Sequence, residues 1–191
     1  QSDGLSKPAR EALGIAQTLS ASPNDLIAAA VPSTTTAAIT EIGERGVSRV
    51  YKPVVEPCCD ALDFYAKAIA DSGARIVIVN RGPDLLQIVP RLAARVGGSC
   101  VMQATSVEVS GEDISVTAAI YGGAARAEYR FRGDGPRIVA LAPVSVDAHR
   151  RAASSVATVT DLDVAEDSRV RVVRAAQPSN EARLEDARIV V

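Results

Sequence analysis

The chain has no tryptophan, and aromatic residues make up only 3% of its 191 positions. Large rings therefore cannot fill its interior. The core has to be built from Ala, Val, Ile and Leu, within an apolar fraction of 47%. Small aliphatic side chains of that kind suit helices packed closely on a parallel sheet. Cysteine is scarce as well: Cys58, Cys59 and Cys100 are too few and too badly spaced for a disulfide framework. A reducing cytoplasm, taken as bacterial, is the expected setting. One histidine, His149, excludes a His-bearing metal cluster, and three scattered cysteines make no zinc site. No apolar run approaches the roughly 20 residues that cross a bilayer, and nothing at the start reads as a signal peptide. Membrane insertion is therefore not expected. Charge of one sign is missing too: 21 basic and 23 acidic residues are well mixed, for a net −2. That balance argues against a nucleic-acid partner. The sequence also lacks G-x-G-x-x-G, G-x-x-x-x-G-K-S/T and G-x-S-x-G, which excludes a dinucleotide fingerprint, a P-loop and a nucleophile elbow. No catalytic residue and no metal ligand emerges.

What is present alternates. Ser6-Lys7-Pro8 opens a helix, with Ser6 as N-cap, and Ala9, Ala12, Leu13, Ala16 and Leu19 form one stripe before Pro23 and Asn24 stop it. Asp25 to Val31 reads as a buried strand. Pro32 to Thr36 leads into a second helix, through about Arg45 and ended by Gly46, and Val47 to Tyr51 is a short strand. Pro53 and Pro57 bracket a loop. Asp60 then caps a helix from Ala61 to Ser72, with Leu62, Tyr65 and Ile69 inward and Gly73 closing it. Arg75 to Val79 is a β-branched strand, followed by a helix from Pro83 to Val96 with Leu85, Ile88, Val89, Leu92 and Val96 on one face. Pro90 lies inside that pattern and removes one backbone bond. Alternation of strand and helix is the mark of crossovers onto a parallel sheet.

From Cys100 the character changes. Val101 to Val109, Ile114 to Tyr121, Ala125 to Phe131 and Arg137 to Leu141 are strand-like. Gly111-Glu112-Asp113, Gly122-Gly123 and Gly133-Asp134-Gly135-Pro136 separate them. Tight turns of this chemistry join antiparallel neighbours, so an antiparallel extension on a parallel core is expected. Arg126, Arg130 and Arg132 alternate with Ala127, Tyr129 and Phe131, as on a strand with one wet face. Ala148 to Ser154 reads as a surface connection, and Val156 to Val164 and Val170 to Arg174 as further edge strands. The fold class is α/β: three layers, α/β/α, with a mainly parallel sheet of the adenine-nucleotide alpha-hydrolase-like type and a smaller antiparallel extension. A domain spans residues 1–176, and Gln177-Pro178-Ser179-Asn180 opens a linker through 191.

Three places invite a functional reading. Asn80, Arg81 and Gly82 form a turn where a strand meets a helix N-terminus, the usual resting place of an anion in open α/β sheets. The bland alternative is a structural turn, and Pro83 offers neither charge nor N–H. Cys58-Cys59 beside Asp60 admits a redox reading, against plain packing of small buried residues. Gly122-Gly123 after Tyr121 is either a hairpin allowing positive φ or a backbone contact with a partner subunit.

The order RIVIV, NRGPDLLQIVPRLAARVG (Asn80 to Gly97) and AAIYGGAARAEYRF (Ala118 to Phe131) resembles the N-terminal domain of the electron-transfer flavoprotein alpha subunit. There a strand, a Gly-containing turn and a helix reading D-L-L-P-R-V-A-A-R-L precede a strand carrying I-Y-G-G-A. That family carries a proline before its R-V-A-A stretch, so the resemblance implies a bend at Pro90 rather than a break. A lysine usual in the family's turn falls at Pro83. The resemblance runs over nearly the whole chain and is densest from Gly73 to Asp147. It implies a scaffold that docks an electron-transfer-flavoprotein beta subunit of similar fold, in a heterodimer that is an electron carrier and not an enzyme. FAD would be bound by a C-terminal domain outside residues 1–191, taking electrons from acyl-CoA or other dehydrogenases and passing them to a quinone oxidoreductase. Gln1-Ser2-Asp3-Gly4 resembles the polar segment that follows the family's first strand, with that strand expected upstream. Leu184 to Val191 resembles the run that enters the FAD domain. The alternative from another class is a stand-alone nucleotide-binding α/β domain.

Overall fold

A computed structural model describes residues 4–20, 27–57, 60–80, 82–110, 113–143, 156–165 and 173. Helix α1, Lys7–Leu19, starts where Ser6 Oγ accepts the Ala9 N–H at 3.4 Å and Pro8 sits in the first turn. Strand β1 is short, Ala28–Ala30. Thr35 caps α2, Thr36–Glu44, by accepting the Ala38 N–H at 3.2 Å. Strand β2 is Arg49–Pro53, two residues later than the hydrophobic pattern suggested. Val47 is fully buried, but it packs in the turn: its N–H reaches the Ile42 carbonyl, so it cannot join the ladder. Helix α3 is Leu62–Ser72, and Asp60 acts just ahead of it, its Oδ1 accepting the Leu62 N–H at 3.0 Å. Strand β3, Ile76–Val79, leads to α4, Pro83–Arg95, which runs unbroken through an exposed Pro90. Strands β4 (Ser99–Ser110), β5 (Asp113–Ile120), β6 (Ala125–Arg130), β7 (Arg137–Leu141) and β8 (Thr158–Leu162) follow.

The strands form two sheets. One is wholly parallel, in the order β1-β2-β8. The other runs β3-β7-β4-β5-β6, with β7 parallel to both of its neighbours and β4-β5-β6 antiparallel. The end of the chain's expected extension is thus corrected. Arg137 to Leu141 does not fold back on the preceding strand but enters the parallel core between β3 and β4. Ile138, Val139 and Ala140 are 0% exposed. A strand buried on both faces is apolar throughout. Gly133 to Pro136 is therefore a crossing link and not a hairpin. Strand β4 serves both regions, pairing first with β7 and then with β5, and its register slips on either side of Ala104. Gln103 there has φ 56, the left-handed geometry of a bulge that bends the strand.

Side-chain alternation places the layers. On one face of the sheets Ala29 and Val50 meet Leu5, Leu13 and Ile42, while Ile76, Ile78 and Val139 lie with Ala12 and Ile15. On the other face Ala30, Tyr51 and Leu162 meet Phe64 and Ala68, while Val77, Val79, Ile138 and Ala140 meet Ile69, Ile88, Val89 and Leu92. So α1 and α2 cover one side, α3 and α4 the other: a three-layer α/β/α fold. Ile69 is buried as expected, and Leu62 and Tyr65 are partly so, but Phe64 at 1% exposure is the deepest residue of α3. A helix that touches both sheets buries a wider face than one stripe. Thr158–Leu162 is an edge strand as expected. The expected features at Pro23-Asn24, Asp25, Ala148 to Ser154, Val170 to Val172 and Gln177 onward lie outside the described residues.

Candidate functional site

Asn80 ends β3 and Gly82 is the N-cap of α4, with φ −164 and no side chain to cap the helix; the Leu86 N–H bonds the Gly82 carbonyl at 3.0 Å. The structure therefore brings Asn80 and Gly82 to the strand-to-helix corner that the sequence named, while Arg81 lies outside the described residues. Pro83 withdraws one N–H from the first turn, where an anion collects donors. Nearby, Asp60 bridges helices: its Oδ2 pairs with Arg91 at 2.8 Å, and Asp63 pairs with Arg95 at 3.1 Å. These pairs fasten α4 to α3, and Asp60 is a positioning group for the helix start. Cys58, Cys59 and His149 lie outside the described residues. Cys100 is half-buried in the α4-facing core, where burial raises its thiol pKa and disfavours the reactive thiolate. Among the described residues, no group of three or more His, Cys, Asp or Glu gathers to hold a metal.

The hairpin between β5 and β6 carries the least expected geometry. Tyr121 has φ 52, Gly122 φ 65 and Gly123 φ 94, three left-handed residues in succession, closed by the Ala124 N–H on the Tyr121 carbonyl at 3.2 Å. Two glycines take that conformation freely. A tyrosine does not, and its strain is of the kind stored at functional places. Tyr121 is 84% exposed, so nothing within the described fold repays it by packing. The glycine pair was visible in the sequence; the tyrosine's exposure was not, because a Tyr at a strand end reads as core. On β6, Arg126 and Arg130 face water and Phe131 just beyond packs against the core as the alternation implied, but Tyr129, expected on the dry face, is 40% exposed.

A second cluster escaped the sequence reading. Glu41 on α2 accepts Arg10 Nε at 2.6 Å, Arg10 Nη2 at 3.1 Å, Arg45 Nη2 at 3.1 Å and the Leu5 N–H at 3.0 Å. Its spacing from Arg45 is i,i+4, a visible signal, but Arg10 is distant in sequence. The Arg10 guanidinium above all, helped by the Leu5 N–H and Arg45 and opposed by partial burial, holds the carboxyl down at about 2. Because the carboxylate occupies both guanidiniums, the cluster clasps α1 to α2.

A model of the electron transfer flavoprotein domain matches residues 1–167. The chain belongs to that family. Members of the electron transfer flavoprotein family are electron carriers rather than enzymes, and the fold described here is theirs. No curated protein matches the chain. The segments on which the sequence resemblance rests fall on α4 (Asp84 to Arg95) and on the Ile120 to Ala124 hairpin tip. No helix among the described residues is long and apolar enough to cross a membrane.

Proposed function

We propose that the chain is the N-terminal domain of an electron transfer flavoprotein alpha subunit, and that it docks a beta subunit of similar fold. Together the two support a C-terminal domain that binds FAD outside residues 1–191. That FAD accepts electrons from acyl-CoA or other dehydrogenases and passes them to a quinone oxidoreductase. The chain's own part is to hold distances short, not to react. The observation that carries this reading is the exposed, left-handed Tyr121 on the Gly122-Gly123 tip, a ring held in water by a strained backbone within the family's I-Y-G-G-A segment. Exposed aromatic anchors of this kind are enriched where proteins meet. The polar face of β6 and the glycine backbone beside the ring supply the rim.

The test is titration of residues 1–191 with an electron transfer flavoprotein beta subunit by calorimetry. A one-to-one complex is expected, weakened roughly tenfold or more by Tyr121→Ala. No association, with the chain folded by circular dichroism, would refute the proposal. A nucleotide-binding reading is favoured only by the place of Asn80 and Gly82 at a strand end, and the N–H withdrawn by Pro83 weighs against it.

A further inference from the structure

Strand β6 ends the larger sheet: β5 flanks it on one side, and among the described residues no strand pairs with the other side. Its six residues, Ala125–Arg130, meet β5 at successive positions without a slip. The backbone groups that point away from β5 are therefore left for water or for a partner.

Edges of this kind are usually blunted by proline, by a bulge or by charge of one sign. Strand β6 has no proline and no bulge. Its charges alternate in sign instead. Arg126, Glu128 and Arg130 share one face, opposite Ala119, Thr117 and Ser115 of β5, and all three are exposed. Glu128 Oε1 and Arg130 Nε stand 3.5 Å apart with side chains 56% and 76% exposed, so neither is drawn into the fold. The other face carries Ala125, Ala127 and Tyr129, beside Ile120, Ala118 and Val116. Val116 is 0% exposed, whereas Tyr129 next to it keeps 40% of its surface in water.

Alternation of sign is what lets a strand recognise its own copy. In a two-fold antiparallel pair, residue i meets residue j and j meets i. With the axis at Ala127, Arg126 faces Glu128 of the second copy and Glu128 faces Arg126 of the second copy. Those are two opposite-charge pairs on the wet face. On the dry face each Tyr129 ring lies opposite the small Ala125 of the other copy, and five of the six residues of β6 overlap. With the axis moved to Glu128, that residue would meet itself and Arg126 would meet Arg130, like charges throughout. With the axis at Tyr129, the overlap within β6 falls to three residues. The charges therefore select one register. Strand β8, at the end of the smaller sheet, has no such pattern: Asp161 is its one charge, and Lys52 holds it at 3.1 Å.

We propose that β6 is a self-docking edge, through which two copies of this chain associate by antiparallel β6–β6 pairing about Ala127. The pairing joins the two larger sheets into one continuous sheet. The contact is one strand long and falls short of an obligate interface, so the dimer is weak, with a Kd on the order of 10–100 μM. It needs neither flavin nor a beta subunit, and it holds whatever the fate of the electron-transfer reading.

The test is sedimentation equilibrium of residues 1–191 in low salt, from about 5 to 500 μM, a range that brackets the expected Kd. A monomer–dimer equilibrium is expected. Glu128→Arg and Arg126→Glu each turn both attractive pairs into like-charge pairs, and each should weaken the dimer roughly tenfold or more. The double exchange, Arg126→Glu with Glu128→Arg, puts opposite charges back across the axis and should return the Kd to within about threefold of the parent. That recovery shows that the single variants lose the pairing and not the fold. A monomer at every concentration, single variants that associate like the parent, a double exchange as weak as the singles, or assembly that grows past the dimer would each overturn the proposal.

Discussion

Glu41 is the residue whose chemistry has the clearest consequence. Its carboxyl titrates near 2 when folded against an ordinary 4.5, because Arg10 above all stabilises the charged form. A depressed folded pKa gives stability that is fully present above 4.5 and is lost as pH falls toward 2. With solvent screening allowed for, the loss is on the order of 1–2 kcal/mol. Glu41→Gln should lower the urea midpoint at pH 7 and flatten its decline between pH 4.5 and 2.5, as read by circular dichroism. An unchanged acid limb in the variant would show that the clasp is idle. Gly135 and Gly98 supply a second case. A Cβ on either would meet backbone of the facing turn, Gly97 or Pro136, and backbone cannot swing aside as a side chain can. Gly135→Ala should destabilise by on the order of 2 kcal/mol or more, in the range of overpacked interiors. Thermal unfolding within a degree of the parent would contradict that close approach.

At the scale of elements, helix α4 shows what local pattern can and cannot tell. Its boundaries and its buried Ile88, Val89 and Leu92 follow from periodicity and from Pro83 at its start. Pro90 sits on its exposed side, so the missing N–H is the main penalty. Pro90→Ala should therefore stabilise, by about 1–2 kcal/mol, visible as a higher melting temperature. Destabilisation would mean that the proline shapes the helix for its neighbours. Strand β7 teaches the opposite lesson. Its apolar run was legible as a strand, but its place was not, because the Gly133 to Pro136 link looks like a hairpin turn and only the far-off edges of β3 and β4 decide where it goes. Long-range pairing leaves no local mark. The hairpin tip falls between these cases: the glycines announced a turn, and the strain on Tyr121 needed the backbone to be seen.

Across the whole molecule, the layer order was readable from alternation of strand and helix, and the family from two segments, α4 and the Ile120 to Ala124 tip. The division into two sheets was not, since it depends on which edges meet in space. The strand-end corner at Asn80 and Gly82 was found in the sequence, and the structure places Gly82 at the N-cap of α4 with Pro83 withdrawing one N–H from its first turn. Calorimetry of residues 1–191 with AMP or ATP should show no binding heat, and affinity tighter than roughly 100 μM would restore the nucleotide reading. The most direct check on the proposal that this is the N-terminal domain of an alpha subunit is visible absorbance of the protein that contains it, purified with any beta subunit, beside residues 1–191 treated identically with FAD and desalted. That assembly should be yellow and bleach when a dehydrogenase and its substrate are added, and residues 1–191 should stay colourless. A colourless assembly, or flavin retained by residues 1–191 alone, would contradict the account.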